Sequence, residues 1–319
     1  MSIVMAQYFD FVYVQYYFSC RPAMQNKENL TTSILSSIAI LLAAMLFIQT
    51  GASLAKQLFP FVGAAGTAAL RLFFASLILF AIVRPWKRRI NKSSFRYIVY
   101  YGACMGFMNL TIYYALERIP LGIAVALEFT GPLAVALLAS RKAHDFLWVL
   151  LAVAGIILIL PAYDSNMALD PVGIFYALLA GLCWALYIVF GQKAGAHESS
   201  GIITALGMGV AACIVIPIGI ADAGTKLFNY SILPMAIGIA ILSSALPYYL
   251  EMKALKALPA KTFGILMSLE PAIAAMAGLI ILGEYLTTNQ WLAIACVITA
   301  SCGSAASIRK KAVSPDLVL

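Results

Sequence analysis

Charged residues are scarce in this chain. Asp, Glu, Lys and Arg make up 11% of its 319 residues, hydrophobic residues 63%, and the mean hydropathy is +0.94. A soluble globular domain carries about 25% charged residues, so this balance excludes one. Histidine is scarcer still: His144 and His197 are the two, both in expected loops, which leaves the apolar segments without imidazole for a metal site or a Ser-His pair. Cys104, Cys183, Cys213, Cys296 and Cys302 fall inside apolar segments with no paired spacing and no Cys-x-x-Cys, and read as small packing residues. Gly207-Met208-Gly209 lacks the third glycine of a dinucleotide loop, and no Walker sequence is present. The residues therefore give no reason to expect a cofactor, a metal, a catalytic group or ATP as the energy source. A secretory signal is also missing, because the start has neither a basic stretch nor a small-residue cleavage site. Tyr8 to Phe18 is aromatic but too short to span a bilayer, and Asp10 and Gln15 interrupt it. Two readings follow: a natural start at Met24, or a loosely held interfacial segment.

What the chain has in abundance is long apolar runs. A bilayer core about 30 Å thick needs roughly 20 apolar residues in helix. Ten such segments are expected, near 34–55, 65–83, 96–116, 122–140, 146–161, 171–190, 201–220, 232–250, 262–282 and 288–307. A proline-marked pattern recurs within them at an offset of 139: Ala115-Leu116, Pro120 and Pro132 match Ala254-Leu255, Pro259 and Pro271. Five crossings per copy turn the two halves in opposite directions, the inverted repeat typical of secondary transporters. The fold class expected is thus an all-α integral membrane protein of ten helices in two inverted five-helix repeats, at 34–161 and 171–307. Residues 1–33 form an extension, partly disordered, and 308–319 a cytoplasmic tail. On alternate sides, one face collects Arg84, Lys87, Arg88, Arg89, Lys92, Arg96, Arg141, Lys142, Lys193, Lys253, Lys256, Lys261, Arg309, Lys310 and Lys311, with Arg21 and Lys27, whereas the other has Lys56, Arg118 and Lys226. That asymmetry puts both termini in the cytoplasm. The basic runs, Trp86-Lys87-Arg88-Arg89 above all, suit anionic lipid better than nucleic acid.

Three ionisable residues lie well inside the expected spans: Arg71, Glu128 and Glu270. Each adds about 2.5–3.5 kcal/mol at insertion, which apolar neighbours can absorb, but exposure to lipid is excluded. They should point into the bundle, either as a structural ion pair or into a wet cavity. The prolines bear on the same region. A proline within a helix leaves the carbonyl four residues earlier without a donor, so Pro132 frees Glu128, Pro271 frees Met267 and Pro247 frees Ser243. Such acceptors face protein or water, and a simple kink is the alternative reading. Under the offset Glu128 falls on Met267 and Glu270 on Gly131, so the two acids need not share a role. A carboxylate in such a cavity could exchange protons, and Arg71 nearby would oppose that; composition does not rank the two effects.

Ser268-Leu269-Glu270-Pro271-Ala272, Leu282-Gly283-Glu284 and Leu286-Thr287 closely resemble the second half-repeat of the EamA-like drug/metabolite transporter superfamily, whose members are ten-helix carriers. Gly51 to Lys56, the run from Pro120 to Leu137, and Pro247-Tyr248 with Glu251-Met252 resemble the bacterial inner-membrane threonine and homoserine exporters, across about 34 to 310. The resemblance implies a multi-pass exporter of small neutral amino acids, driven by proton exchange. A zwitterion needs an anion for its ammonium, which Glu128 and freed carbonyls supply, and a donor for its carboxylate, which Arg71 supplies. Asn109, Thr130 and Ser268 are candidates for a hydroxylated side chain, and Tyr113, Trp184, Tyr187 and Tyr248 for cavity walls, though each could simply pack. Glu128 and Glu270 are the candidates for proton coupling, and Pro132, Pro271 and Pro247 for hinges or helix breaks. Export of other metabolites or drugs on the same scaffold, a passive channel, and an intramembrane enzyme are the alternatives; the oligomeric state is left open. The topology is testable: labelling of engineered cysteines at 85–94 and 309–311 should reach both from the cytoplasmic side, and labelling from opposite sides would overturn it.

Overall fold

The structure is a computed structural model that describes residues 27–87, 90, 92–139, 145–159, 169–195, 198–247, 250, 254 and 266–307. Among the described residues every regular element is helical. The first two expected segments form one run, α1 (Lys27–Val83), broken at Gly63, whose φ of 71° and ψ of 173° lie in a region essentially reserved for glycine. A continuous helix of that length would be roughly 80 Å long. The break at Gly63, just after Pro60, divides it into arms 27–62 and 64–83. Among the described residues helix is present from Lys27 onward; Met24 and the tail lie outside them.

A short 3₁₀ turn (Pro85–Lys87) leads to α2 (Lys92–Leu116). Then come α3 (Leu121–Glu128), α4 (Thr130–Ala139), α5 (Asp145–Ile159), α6 (Pro171–Gly195) and α7 (Ser200–Ala223). Helix α8 (Leu233–Ala240) runs into a π-type turn at Ile241–Ala245. Helix α9 (Glu270–Ala277) does the same at Gly278–Leu282, and α10 (Thr288–Ser307) follows.

Segments 4 and 9 are interrupted near their prolines: Phe129, at φ −65° and ψ −14°, separates α3 from α4, and Leu269, at φ −78° and ψ −10°, precedes α9, so near-helical dihedrals carry through both interruptions. Helix α3 ends at Glu128 and α4 starts at Thr130, with Pro132 in its first turn; Pro271 occupies the first turn of α9. In a first turn the N–H has no helical partner, so proline there begins a half-helix without loss. Pro132 and Pro271 therefore lie in the first turns that follow these interruptions.

By length and composition, Ser36–Lys87, Pro171–Gly191 and Gly201–Phe228 suffice to cross a membrane, and Leu121–Val135, Tyr230–Ala245 and Glu270–Leu282 are shorter apolar helices. Large apolar side chains such as Leu46, Phe61, Ile157, Phe175 and Leu182 stand exposed on the outside of the bundle. Helices apolar on every side require lipid outside as well as a packed core inside. Within, α1 packs along α7 and α8, α2 along α6 and α7, α3 against α9, and α5 against α10.

Small residues set the spacing. A Cβ on Gly131 would collide with the carbonyl oxygen of Gly181, and one on Gly181 would sit 2.8 Å from the Glu128 carbonyl oxygen. The break at Phe129 is thus pressed directly onto α6. We expect Gly131→Ala to push α4 from α6 and destabilise the protein by about 1–3 kcal/mol, read as a lower melting temperature in detergent, with unchanged melting counting against this packing.

Candidate functional site

The break, the π-type turn and the start of α9 gather the polar groups of the apolar segments into two clusters. In the first, Arg71 from the second arm of α1 is clamped by three neighbours. Its Nε donates to Ser244 Oγ at 2.9 Å, Nη1 to the Tyr113 hydroxyl at 3.1 Å, and Nη2 to the Ser243 carbonyl at 3.0 Å. Pro247 cannot donate to that carbonyl, so the acceptor the proline leaves open is the one the guanidinium fills. The guanidinium carbon also lies 5.4 Å from the Tyr113 ring centroid.

Glu128, the last residue of α3, is buried at 8% exposure and lies within electrostatic reach of both Arg71 and Glu270. Arg71 and Glu128 are nevertheless not joined: each hydrogen bond described for the arginine goes to a neutral group. Glu270, the first residue of α9, accepts from Gln49 Nε2 at 3.0 Å, and both residues are buried. The two acids occupy opposite ends of half-helices. Glu128 sits at a helix C-terminus, where unpaired carbonyls add negative character, and Glu270 at an N-terminus, where amides oppose it. This matches their one-turn displacement in the repeat.

The remaining candidates divide. Asn109 Nδ2 bonds the Met105 carbonyl of its own helix at 2.8 Å, and Thr130 Oγ1 bonds the Leu127 carbonyl at 2.6 Å, bridging the break. Ser268 is buried just before α9. Trp184 packs edge-on to Phe129, with centroids 5.3 Å apart, and so walls the break. Tyr187 stacks on Tyr101 at 4.4 Å with a hydroxyl–hydroxyl bond of 2.9 Å, which ties α6 to α2. Tyr248 lies outside the described residues.

Sequence reasoning missed the second cluster. Gly283, at φ 66°, ends the turn after α9 and swings Glu284 back over Gly278. One carboxylate oxygen then accepts from the Leu121 N–H at 2.7 Å, capping α3 where Pro120 offers no side-chain cap. The other meets Lys56 Nζ at 2.6 Å, and Lys56 also donates to the Ile119 carbonyl at 3.2 Å. Leu-Gly-Glu is therefore a structural device that fastens α1, α3 and the α9–α10 connection. Nearby in sequence, Arg118 pairs with Asp170 at 2.8 Å and holds that carboxyl below its usual range. Gln49 and Ser244 were missed too, although each is a polar residue in an apolar run; Ser243 entered through the carbonyl that Pro247 frees.

Residues 171–305 match the EamA-like transporter family. The threonine/homoserine exporter RhtA of Escherichia coli (strain K12) is 51% identical over 280 residues, 88% of this chain and 95% of the exporter. The exporter of the same name from Salmonella typhimurium (strain SL1344) is 52% identical over 274 residues, 86% and 92% of the two chains. A solved crystal structure with 16% identity superposes with a TM-score of 0.56 over 85% of this chain and 96% of its own, and so shares the fold.

The second cluster predicts coupled energetics. Glu284→Gln should destabilise the protein by about 1–3 kcal/mol, and adding Lys56→Met should cost less than the sum of the single changes. Thermal unfolding in detergent gives both values, and strict additivity would show that the pair does not interact.

Proposed function

This chain belongs to the EamA-like transporter family and is a transporter, not an enzyme; from that premise we propose that it exports threonine and homoserine across the bacterial inner membrane in exchange for protons. The identity of half the residues with exporters of those amino acids supports the substrate class. The observation that carries the reading is a pair of opposite charges, Arg71 and Glu128, held in the bundle within reach of each other yet not bonded. A zwitterion fits between such groups. Three of the five guanidinium N–H donors are occupied by protein, which leaves two for a substrate carboxylate. The ammonium group goes to Glu128 and the carbonyl end of α3.

The transport architecture proposed is ten crossing segments in two inverted halves, with both termini cytoplasmic. Helix pairing supports it. Under the 139 offset, segments 2, 4 and 5 exchange with 7, 9 and 10; Ala69 on the second arm of α1 faces Gly219 of α7, α3 packs on α9, and α5 on α10. The contact of α2 with α6 has as its counterpart the contact of segment 8 with segment 1, where Gly51 lies against Ser243. A bundle paired in this way can rock about its centre, opening the pocket to one side at a time. The Lys56–Glu284–Leu121 fastening is one closure. The offset places Asp145, at the start of α5, as the counterpart of Glu284 at the other end.

Reconstituted protein should take up labelled threonine and homoserine under an imposed pH gradient, in competition with either unlabelled amino acid. Glu128→Gln should abolish uptake. Arg71→Lys, which keeps the charge but loses the planar fork, should weaken it on the order of tenfold. Full activity in Glu128→Gln would remove that residue from the site, and competition by organic cations alone would replace the substrate class.

A further inference from the structure

The pair formed by Gln49 and Glu270 is incompletely matched in a way that points to a proton. Gln49, on the first arm of α1, and Glu270, at the start of α9, are 2% and 5% exposed. One hydrogen bond joins them, from Gln49 Nε2 to Glu270 Oε1 at 3.0 Å. The other two oxygens, Gln49 Oε1 and Glu270 Oε2, are both buried without a hydrogen-bond partner among the described residues. An amide offers one donor side and one acceptor side, whereas an ionised carboxylate offers acceptors on both. Exchanging the amide's oxygen and nitrogen leaves the same mismatch. A carboxylic acid matches the amide on both sides, because its O–H can donate to the amide oxygen while its other oxygen accepts the amide N–H.

The surroundings give an ionised Glu270 little help. Helix α9 packs on α1, α3, α10 and its own π-type turn. Lys56 on α1 is bonded to Glu284, and Arg71 is bonded to Ser243, Ser244 and Tyr113. Helix α3 contributes Glu128, of the same sign, and neither α10 nor the turn carries a charged residue. Buried charge without a cation or a full set of donors is costly. The N-terminal end of α9 acts in the opposite sense and keeps the carboxylate reachable once water enters. A proton carrier needs both forms within reach.

We propose that Glu270 carries the transported proton and that Gln49 is the positioning residue that holds the protonated carboxyl, leaving Glu128 to the substrate's ammonium group. This rests on the proton-exchange reading above. In the closed bundle the Glu270 Oε2–H bond is intact and directed to Gln49 Oε1. When the pocket opens, that bond breaks, the proton passes to water, and the carboxylate keeps the amide N–H. Reprotonation from the opposite side reverses the step.

The test uses the full chain in proteoliposomes and two readouts. Glu270→Gln, a fixed mimic of the protonated acid, should keep counterflow of labelled threonine and lose the response to a pH gradient, whereas Glu128→Gln should lose both. Gln49→Met should keep counterflow and move the pH midpoint of gradient-driven uptake by about one unit, the weight of one hydrogen bond; Gln49→Asn, which keeps the amide's donor and acceptor, should move it less. Loss of counterflow in Glu270→Gln, in protein that folds, overturns the proposal, and loss of threonine binding with it assigns Glu270 to the substrate. An unmoved midpoint in Gln49→Met overturns the proposal as well. Infrared difference spectra of the wild type between acidic and alkaline pH should show a carboxylic-acid band that Glu270→Gln removes and Gln49→Met displaces. Its absence overturns the proposal independently of transport. If the band is present but wild-type uptake ignores the pH gradient, the proton-exchange reading fails, while the protonated pair stands.

Discussion

The backbone polar groups of an apolar bundle have no water to turn to, and this constraint organises the molecule. Wherever a helix breaks, an amide or carbonyl loses its partner, and a group from another helix must replace it. At the π-type turn after α8 the replacement is Arg71, which takes the Ser243 carbonyl that Pro247 cannot serve. At the start of α3 it is Glu284, which takes the Leu121 N–H that Pro120 leaves uncapped. In both cases an expensive charge and an orphaned backbone group solve each other's problem. The charges that look dangerous in an apolar sequence are thus part of what lets its helices break.

The same constraint separates the two glutamates. Glu128 closes a half-helix at its carbonyl end and has Arg71 within reach, so an ammonium group arriving there meets an anion, carbonyl dipoles and a nearby counter-charge that can hold a carboxylate. Glu270 opens a half-helix and faces an amide. In the proposed reading a ligand completes one environment and a proton completes the other. A carrier that exchanges an amino acid for a proton needs one of each. Their placement on facing half-helices of α3 and α9, which pack directly on each other, gives the two events a common structural element.

Much of this was legible in the residues. The apolar runs announced the helices, and an isolated charge in such a run announced a buried role, because lipid tolerates neither a soluble fold nor an exposed ion. The prolines marked real irregularities: Pro132 and Pro271, read as hinges or helix breaks with a simple kink as the alternative, lie in the first turns after short interruptions, and one chain cannot reveal whether the helix before a proline continues or stops. Gln49 was invisible for a related reason. A glutamine in an apolar run is ordinary until Glu270, 221 residues away, is found beside it. Residues 1–26 of the expected extension and Tyr248 lie outside the described residues.

Composition and periodicity alone determined that this is a helical membrane protein with its charges turned inward, because transfer free energy depends on residue type and run length and needs no knowledge of contacts. Family membership followed from local runs of residues. Which group meets which was decided only by the tertiary structure: Arg71 on a serine carbonyl and not on Glu128, Glu284 on the amide of Leu121, and Gln49 on Glu270. Hydrogen bonds and ion pairs act over a few ångströms between residues far apart in the chain, and only packing brings them to that distance.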